Sequence, residues 1–593
     1  MPAMRIAPLT AAMPVLSPAM PLAAAVPGDR FEATMQEVIP LTQSLVRVDS
    51  GPTNLVAGQN QVVDLMVDYA RQAGLEVDRF ETVNGKPMLI VTLPGKDPTL
   101  GSVGFVHHGD VVGVEGEWKL GQPFSGDLIV DERGRQVLHG RGSLDTKGPA
   151  AQILVAMKGL KESGQVLSRS MKLFVFPDEE TGGKDGAHFM ATNHPDKLRD
   201  VQYWLVEGSG ILAPEMLNGI ETKEDLPYLA MAQKYCLPMQ LELKEPLPAH
   251  QAVGKTVEAL KRLDEHLDAG EWTNLGDPDE SDESFRRMGN AVGGFKGWMI
   301  RNFWDWKFVQ RRMGPSLAAA NRSDLCKTDF YLSHNPAGKT ADPNVKPSSA
   351  TVVLELDLSG AEREKALRKM RRAAGEDFVV DDLPTGRIEL RLPQENYHGG
   401  NHGSTADREQ DAVDMTCRAL ERVRKALKGK PLQVADFYTS KSRNQGQGAS
   451  GPVTSKVTLD LRVIVDDDRQ EVLSDIQEVV GPEFKLTPLY APEESDASVR
   501  RLSSKSPLFE AAEGACREVY GPDRPILFGN TTSSNDTRFL QEVNPKSETL
   551  TFVPVVFTEH GAHGPDEVVT VDSLVSGVEW TAELMQRLGE AKE

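Results

Sequence analysis

The sequence predicts an α/β protein with a mixed sheet covered by helices, interrupted by an inserted α+β domain. Three observations carry this. Helical and strand-like segments alternate from residue 31 to residue 206, the pattern of a sheet with both faces covered. Apolar strand-like runs repeatedly end in histidines or carboxylates, and in such folds reactive groups gather beyond the carboxyl ends of strands. Residues 226–490 then break the rhythm with a weak internal repeat of strand–helix–strand–helix, which reads as a duplicated insert.

At 593 residues the chain is long enough for more than one domain. The divisions expected are an extension over 1–28, a first catalytic part over 29–225, an insert over 226–490 in two copies (226–380 and 386–490), and a second catalytic part over 491–593. The net charge of -21 argues against a nucleic-acid partner or an anionic surface, a local basic patch aside. Cys236, Cys326, Cys417 and Cys516 are scattered without CxxC spacing, so neither a thiolate metal site nor a disulfide framework is signalled. Residues 1–28 carry Arg5 as their only charge and resemble a weak secretory signal. Export to the periplasm or medium is therefore preferred over a cytoplasmic location, although four prolines interrupt the apolar stretch. No other run reaches the ~20 apolar residues of a spanning helix.

The elements follow in order. Phe31 to Val48 has helical spacing with a break expected at Pro40. Gln61 to Ala73 is a second helix, stopped by Gly74. Pro87 to Leu93 and Ser102 to Val106 are strands, the latter ending in His107-His108-Gly109-Asp110. Imidazole is a common zinc ligand, and a nearby acid can take its other N–H. LHGRGSLDTKGP (138–149) has the wrong glycine spacing for a phosphate loop. Asp145, just before the helix Pro149 to Leu160, is either a helix cap or a rigidly held carboxylate. The strand Leu173 to Phe176 delivers Asp178-Glu179-Glu180, where one carboxylate can hold a cation while its neighbour handles a proton. Val201 to Val206 delivers Glu207, and Leu550 to Phe557 leads to EHGAHGPDE, residues 559–567. Taken singly, each has an ordinary reading as a charged turn or a solvated loop. Taken together they assemble nitrogen and oxygen donors without thiolate, which suits zinc, with manganese or cobalt as substitutes.

HHGDVV, GRGSLDTKGP, PDEETGG, the strand end at Glu207 and AHGPDE occur in that order. In this the chain resembles the co-catalytic di-zinc amidohydrolases: carboxypeptidase G, aminoacylase, acetylornithine deacetylase, succinyl-diaminopimelate desuccinylase and the carnosinase-type dipeptidases. The resemblance covers nearly everything after residue 30. It implies a zinc-peptidase-like catalytic domain holding two Zn2+ per chain, with Co2+ or Mn2+ as alternatives. It implies His108 and Glu207 on one zinc, Glu180 and His563 on the other, and Asp145 bridging both ahead of a cis peptide to Thr146. It further implies Asp110 as the acid steering His108 and Glu179 as general base, while His107 and His560 match no ligand position.

The resemblance also implies that the insert is a lid. Copy one is expected as the strand Met239 to Leu243, the helix Val253 to Leu263, the strand Thr351 to Leu358 and the helix Glu362 to Arg372. Copy two is expected as Arg387 to Leu392, Asp411 to Leu427, Lys456 to Val465 and Arg469 to Val480. A duplicated lid implies a monomer with a pseudo-dimeric lid, a homodimer being the alternative. Candidate substrate-binding residues are His402 in HGS, His250 in PAHQA, and Arg462, a carboxylate clamp. Between the copies, the acidic run 277–283 reads as a solvated loop and the aromatics Trp298, Phe303, Trp304 and Trp306 as packing residues. Ser506 and Pro507 open a helix to Tyr520, and Thr532 and Ser534 lie on a loop that faces substrate in the family. The implied activity is hydrolysis of an amide or peptide bond in a small carboxylate-bearing substrate by a dipeptidase or carboxypeptidase-like exopeptidase. An N-acyl amino acid deacylase is the near rival, and an inactive peptide-binding homologue the rival of another class.

Overall fold

The computed structural model describes residues 28–114, 116–216, 222, 224–269, 278–306, 309, 324–333, 346–396, 411–442, 451–464, 469–489, 500–558 and 560–590. The extension over 1–27 and His402 lie outside them.

The main sheet is mixed. Its order is Glu76–Glu81, Pro87–Leu93, Met171–Phe176, Ser102–His108, Val201–Val206, Glu548–Thr551, Leu226–Ala232, Ile211–Leu212 and Val556–Phe557, with Leu527–Asn530 pairing to Leu226–Ala232. The central strands Met171–Phe176, Ser102–His108, Val201–Val206 and Glu548–Thr551 run parallel, so their carboxyl ends open on one edge. Ser102–His108 is buried along its whole length, as strands covered on both faces require. The helices Lys147–Glu162 and Val571–Glu590 bury Leu154, Met157, Leu584 and Met585 in one core with Val103, Leu173 and Leu205.

Several expectations need adjusting. The first helix is two pieces, Gly28–Met35 and Val38–Val46. The break precedes Pro40, which sits in the first turn of the second piece, where its missing N–H has no intrahelical partner to lose. The helix after Asp145 is capped at Thr146. The boundary at 225/226 falls too early, because Leu226–Ala232 belongs to the main sheet. The acidic run is not a loop: Pro278–Val292 is a helix, followed by Gly294–Phe303.

The insert holds two four-stranded antiparallel sheets. One has the order Asp324–Ser333, Thr454–Val463, Tyr235–Leu243, Phe484–Pro488; the other Val379–Asp382, Arg387–Leu392, Ala350–Leu356, Leu432–Thr439. Numbered along the chain, both read 2-3-1-4. They are nested rather than consecutive: the second sheet lies wholly between Asp324–Ser333 and Thr454–Val463 of the first. The division at 380/386 is thus corrected, since Arg387–Leu392 pairs with Val379–Asp382 through a tight turn closed by Gly386 (φ 82). Such a hairpin closes locally at small entropic cost. The two sheets share one core, with Phe330 and Phe437 stacked at 4.0 Å and Asp329 accepting hydrogen bonds from Thr439 (2.6 Å) and Ser442 (2.8 Å).

Candidate metal centre and active site

The parallel strand ends converge as the sequence predicted. His108 closes Ser102–His108, Asp178 to Glu180 follow Met171–Phe176, and Glu207 follows Val201–Val206. Asp145 enters from the turn before its helix, across a cis peptide to Thr146. His563 enters from the loop after Val556–Phe557, in a left-handed conformation (φ 66).

Asp145 lies between the two histidines. Its Oδ1 is 2.9 Å from His108 Nε2 and its Oδ2 is 3.2 Å from His563 Nε2. His563 Nε2 is also 2.9 Å from Glu180 Oε2. Ligand atoms of His108, Asp145 and Glu180 lie within 4.8 Å of one another, so Glu180 is close to both imidazoles. Glu207 is the residue after Val201–Val206 and feels the charges of Asp145, His108 and Glu180.

Asp110 meets His108 through both its carbonyl and its carboxylate. The partner of His108 Nδ1 is the Asp110 backbone carbonyl at 3.0 Å, with the carboxylate at 3.5 Å. The same carboxylate accepts the Glu180 N–H at 3.2 Å. One residue therefore orients His108 and holds the turn that carries Glu179 and Glu180, leaving His108 Nε2 to face Asp145.

Electrostatics test whether a metal fits. Asp145 and Glu180 lie against the two imidazoles, Asp110 lies beside His108, and Glu179, Glu207 and Asp536 feel the charge of His108. Burial, then the charge of Glu207, lifts Glu179 well above the usual carboxylate range. Burial and Asp145 push Glu207 up to about 8, and burial also raises Glu180. Burial opposes charge on Asp145, but hydrogen bonds to His108 and His563 outweigh it and hold that carboxyl well below its ordinary value. Burial likewise opposes charge on His108 and His563, yet their carboxylate partners raise both. This much buried negative charge calls for cations, and protons stand in where cations are absent. The donors are imidazole and carboxylate, with the cysteines elsewhere. The residues fit a divalent metal centre.

The substrate candidates fare less uniformly. Arg462 is buried and fork-bonded to Asp460, Nε–Oδ1 and Nη2–Oδ2 both 2.8 Å, so two of its donors are held by a protein carboxylate. His250 stands in the first turn of the lid helix Ala249–Ala269, half-buried. Ser534 accepts a hydrogen bond from Arg538 Nη1 at 2.8 Å, and Thr532 is half-buried. The alternate residues of that loop face Glu207 instead. Thr531 and Ser533 donate to the Gly208 carbonyl (2.6 and 3.0 Å) and Asn535 Nδ2 to the Glu207 carbonyl (3.0 Å). A Cβ on Gly208 (φ 110) would stand 2.2 Å from Ser533 Oγ, so only glycine allows this approach.

Asp536, Arg538 and Glu567 were missed as site residues. Asp536 is buried with both carboxyl oxygens unpartnered among the described residues, and burial lifts it to about 7. Arg538 Nη2 donates to the Gly182 carbonyl at 2.9 Å, holding the glycine turn that follows Glu180. Glu567 accepts N–H bonds from Gly142, Leu144 and Asp145 at 3.1, 2.9 and 3.1 Å. The available signal was compositional: acids and an arginine inside otherwise small polar loops.

A model of peptidase family M20/M25/M40 matches residues 104–587. Aminoacylase-1 of Sus scrofa is 37% identical over 124 residues, 21% of this chain and 30% of that protein. The chain thus spans about a third of the length of the curated relatives it matches. Among solved structures, the dipeptidase Dug1p from Saccharomyces cerevisiae superposes with a TM-score of 0.55 at 14% identity, covering 95% of this chain and 98% of that one. Human carnosine dipeptidase 1 gives a TM-score of 0.55 at 13% identity, with the same coverage. The two structures share the fold across both the main sheet and the insert.

Proposed function

The chain belongs to peptidase family M20/M25/M40, and from that membership we propose that it hydrolyses an amide or peptide bond in a small substrate carrying a free carboxylate. The observation that carries the proposal is the division of the Asp145 carboxylate between His108 and His563, one oxygen at each imidazole. His108 and Glu207 would hold one ion and Glu180 and His563 the other, with zinc the metal best suited to these donors. Such a pair supplies Lewis-acid polarisation of the scissile carbonyl and a water that ionises near neutral pH.

The chain's own residues do the rest. Glu179 stands on the same turn as Glu180 and is half-buried. Its proposed role is to accept a proton from the attacking water and return it to the leaving nitrogen. Asp110 keeps the His108 ring oriented through its carbonyl and fixes the Glu179 turn through its carboxylate. Two lid sheets of the same strand order, packed edge against edge, support a single chain as the working unit.

Dipeptide hydrolysis is favoured by likeness of fold, N-acyl amino acid deacylation by the 37% identity to an aminoacylase. Metal analysis followed by a panel of dipeptides, N-acetyl and N-succinyl amino acids, assayed with zinc or cobalt, separates them. A protein that binds no divalent metal, or that cleaves nothing in the panel when loaded, defeats the proposal.

A further inference from the structure

Lys86 stands outside the metal centre, yet it reaches the loop that carries Glu179. The strands Glu76–Glu81 and Pro87–Leu93 form an antiparallel hairpin whose tip is tightly closed. The Thr82 N–H donates to the Lys86 carbonyl at 3.0 Å, the Gly85 N–H to the Thr82 carbonyl at 2.9 Å and the Lys86 N–H to Thr82 Oγ1 at 3.1 Å. Gly85 is left-handed (φ 74), as short connections between paired strands commonly require. Asn60, from the helix Leu55–Gln72, donates to the Gly85 carbonyl at 3.4 Å. The tip is therefore a firm support for a long side chain.

Lys86 Nζ lies 3.0 Å from Asp185 Oδ2 and 3.6 Å from Asp178 Oδ2. Asn84 Nδ2 donates to the same Asp185 oxygen at 3.1 Å. Asp178 Oδ2 in turn accepts the Asp185 N–H at 2.8 Å. These contacts clip the two ends of the loop 178–185 to each other and to the hairpin. The Lys86 side chain is 13% exposed and that of Asp178 4%, so the contact is largely withdrawn from water, where charges act on each other more strongly than at an open surface. Burial opposes charge on Lys86, but Asp178 and Asp185 outweigh it and hold the ammonium above its ordinary range.

The Glu179 turn is built on this clip. Asp178 is left-handed (φ 61), and its carbonyl accepts the Thr181 and Gly183 N–H groups at 3.1 and 2.9 Å. Glu179 follows immediately, and its own carbonyl accepts the Gly182 N–H at 3.0 Å. A rotation at Asp178 therefore swings Glu179. Glu180 has a further restraint in the Asp110 carboxylate, which accepts its N–H at 3.2 Å, and a metal ligand is also drawn into place by its ion. A base that binds no ion depends on the protein alone, and a misplacement of about 1 Å is enough to cost ~10²-fold in rate.

We propose that Lys86 is a positioning residue for Glu179, fixing the loop of the general base through Asp185 and Asp178. The inference rests on the reading of Glu179 as base. K86M, K86R and K86M/D185N in the full chain test it. K86M should lower kcat roughly 10- to 100-fold with KM and bound metal unchanged, and K86R should restore most of the loss. Adding D185N to K86M should lower kcat little further, since both changes break one contact. In the metal-free protein, K86M should speed amide exchange over residues 178–185 and leave that of Val571–Glu590 unchanged. Parental kcat in K86M, alongside an inactive Glu179→Gln, overturns this inference alone. So does a rise in KM at parental kcat, which would put Lys86 on the substrate, or faster exchange throughout the chain, which would make it a general stabiliser. If Glu179→Gln keeps its activity, or the parent cleaves nothing, the underlying reading falls and the proposal with it, while the exchange result still shows whether the clip exists.

Discussion

Arg141 and Glu567 form a buried ion pair, Nη1 to Oε2 at 2.6 Å, between residues 426 positions apart in sequence. The pair joins the two halves of the metal centre. Arg141 Nη2 also donates to the His563 carbonyl at 3.2 Å, while the other Glu567 oxygen gathers the N–H groups of the turn that presents Asp145. One ion pair therefore ties the turn that carries Asp145 to the loop that carries His563.

Removing one member should be severe. Glu567→Ala strands a buried guanidinium and three backbone donors, with an expected loss of about 3–5 kcal/mol and weaker metal retention. Glu567→Gln keeps acceptors for the N–H groups and should fall between. Denaturation midpoints and bound metal per chain measure both effects; a Glu567→Ala protein of parental stability would show that the pair holds nothing.

Glu179→Gln should retain its metal and lose about 10²–10⁴-fold in kcat, because the amide can still occupy the site but cannot carry the proton. Metal content and turnover are measured on the same preparation. Substantial residual activity would transfer the role of base to another group.

Metal affinity should weaken as the pH is lowered. In the metal-free fold, Glu207 is pushed up to about 8, and Glu179, Glu180, His108 and His563 are raised. Below those values the groups hold protons that a cation must displace. Each displaced proton costs about tenfold in affinity per pH unit. Calorimetric titration with zinc in buffers of different ionisation enthalpy should show proton release between pH 6 and 8. An affinity independent of pH over that window would contradict the electrostatic picture.

Asp178 gives a separate pH signature. Burial, then the nearby Asp110, lifts it from 3.8 to about 8. Its folded value exceeds its unfolded value, so its protonation stabilises the fold below about 4 and that contribution disappears as pH rises through about 8. Asp178 is left-handed (φ 61), a conformation that asparagine tolerates. The stability of Asp178→Asn relative to the parent should therefore climb between pH 5 and pH 8. A flat difference in urea midpoints would mean that Asp178 titrates normally.

Arg462→Lys distinguishes a structural from a substrate role. The fork to Asp460 becomes a single contact, so stability should drop by about 1–3 kcal/mol while KM stays within about threefold. A large rise in KM at parental stability would return Arg462 to the substrate.

Much of this was legible in the residues. His108, Asp145, Glu180 and His563 were singled out through the order of short motifs and the family resemblance those motifs carry, and the structure brings His108, Asp145 and Glu180 within reach of one another. The strands Pro87–Leu93, Val201–Val206 and Arg387–Leu392 and the helix Arg469–Val480 were read with their observed bounds. The Ser506 cap was too, its Oγ accepting the Leu508 N–H at 3.0 Å. Leu226–Ala232 was missed, since a buried apolar run without alternation gives a weak strand signal, and Asp324–Ser333 was missed because buried Lys327, Thr328 and Asp329 interrupt its apolar pattern. The acidic helix Pro278–Val292 was misread as a loop because its acids are satisfied by partners as remote as Ser503 and Ser504.

The sequence by itself determined the chemistry available to this protein: which donors, in which order, at which strand ends, and with no thiolate among them. Only the tertiary structure decided how they are used. It set the Asp110 carbonyl nearer than its carboxylate to His108, bound Arg462 to Asp460, nested one lid sheet inside the other, and brought Glu567 to Asp145. Those outcomes depend on contacts between segments hundreds of residues apart, whose geometry comes from packing and burial and leaves no periodicity in the local sequence.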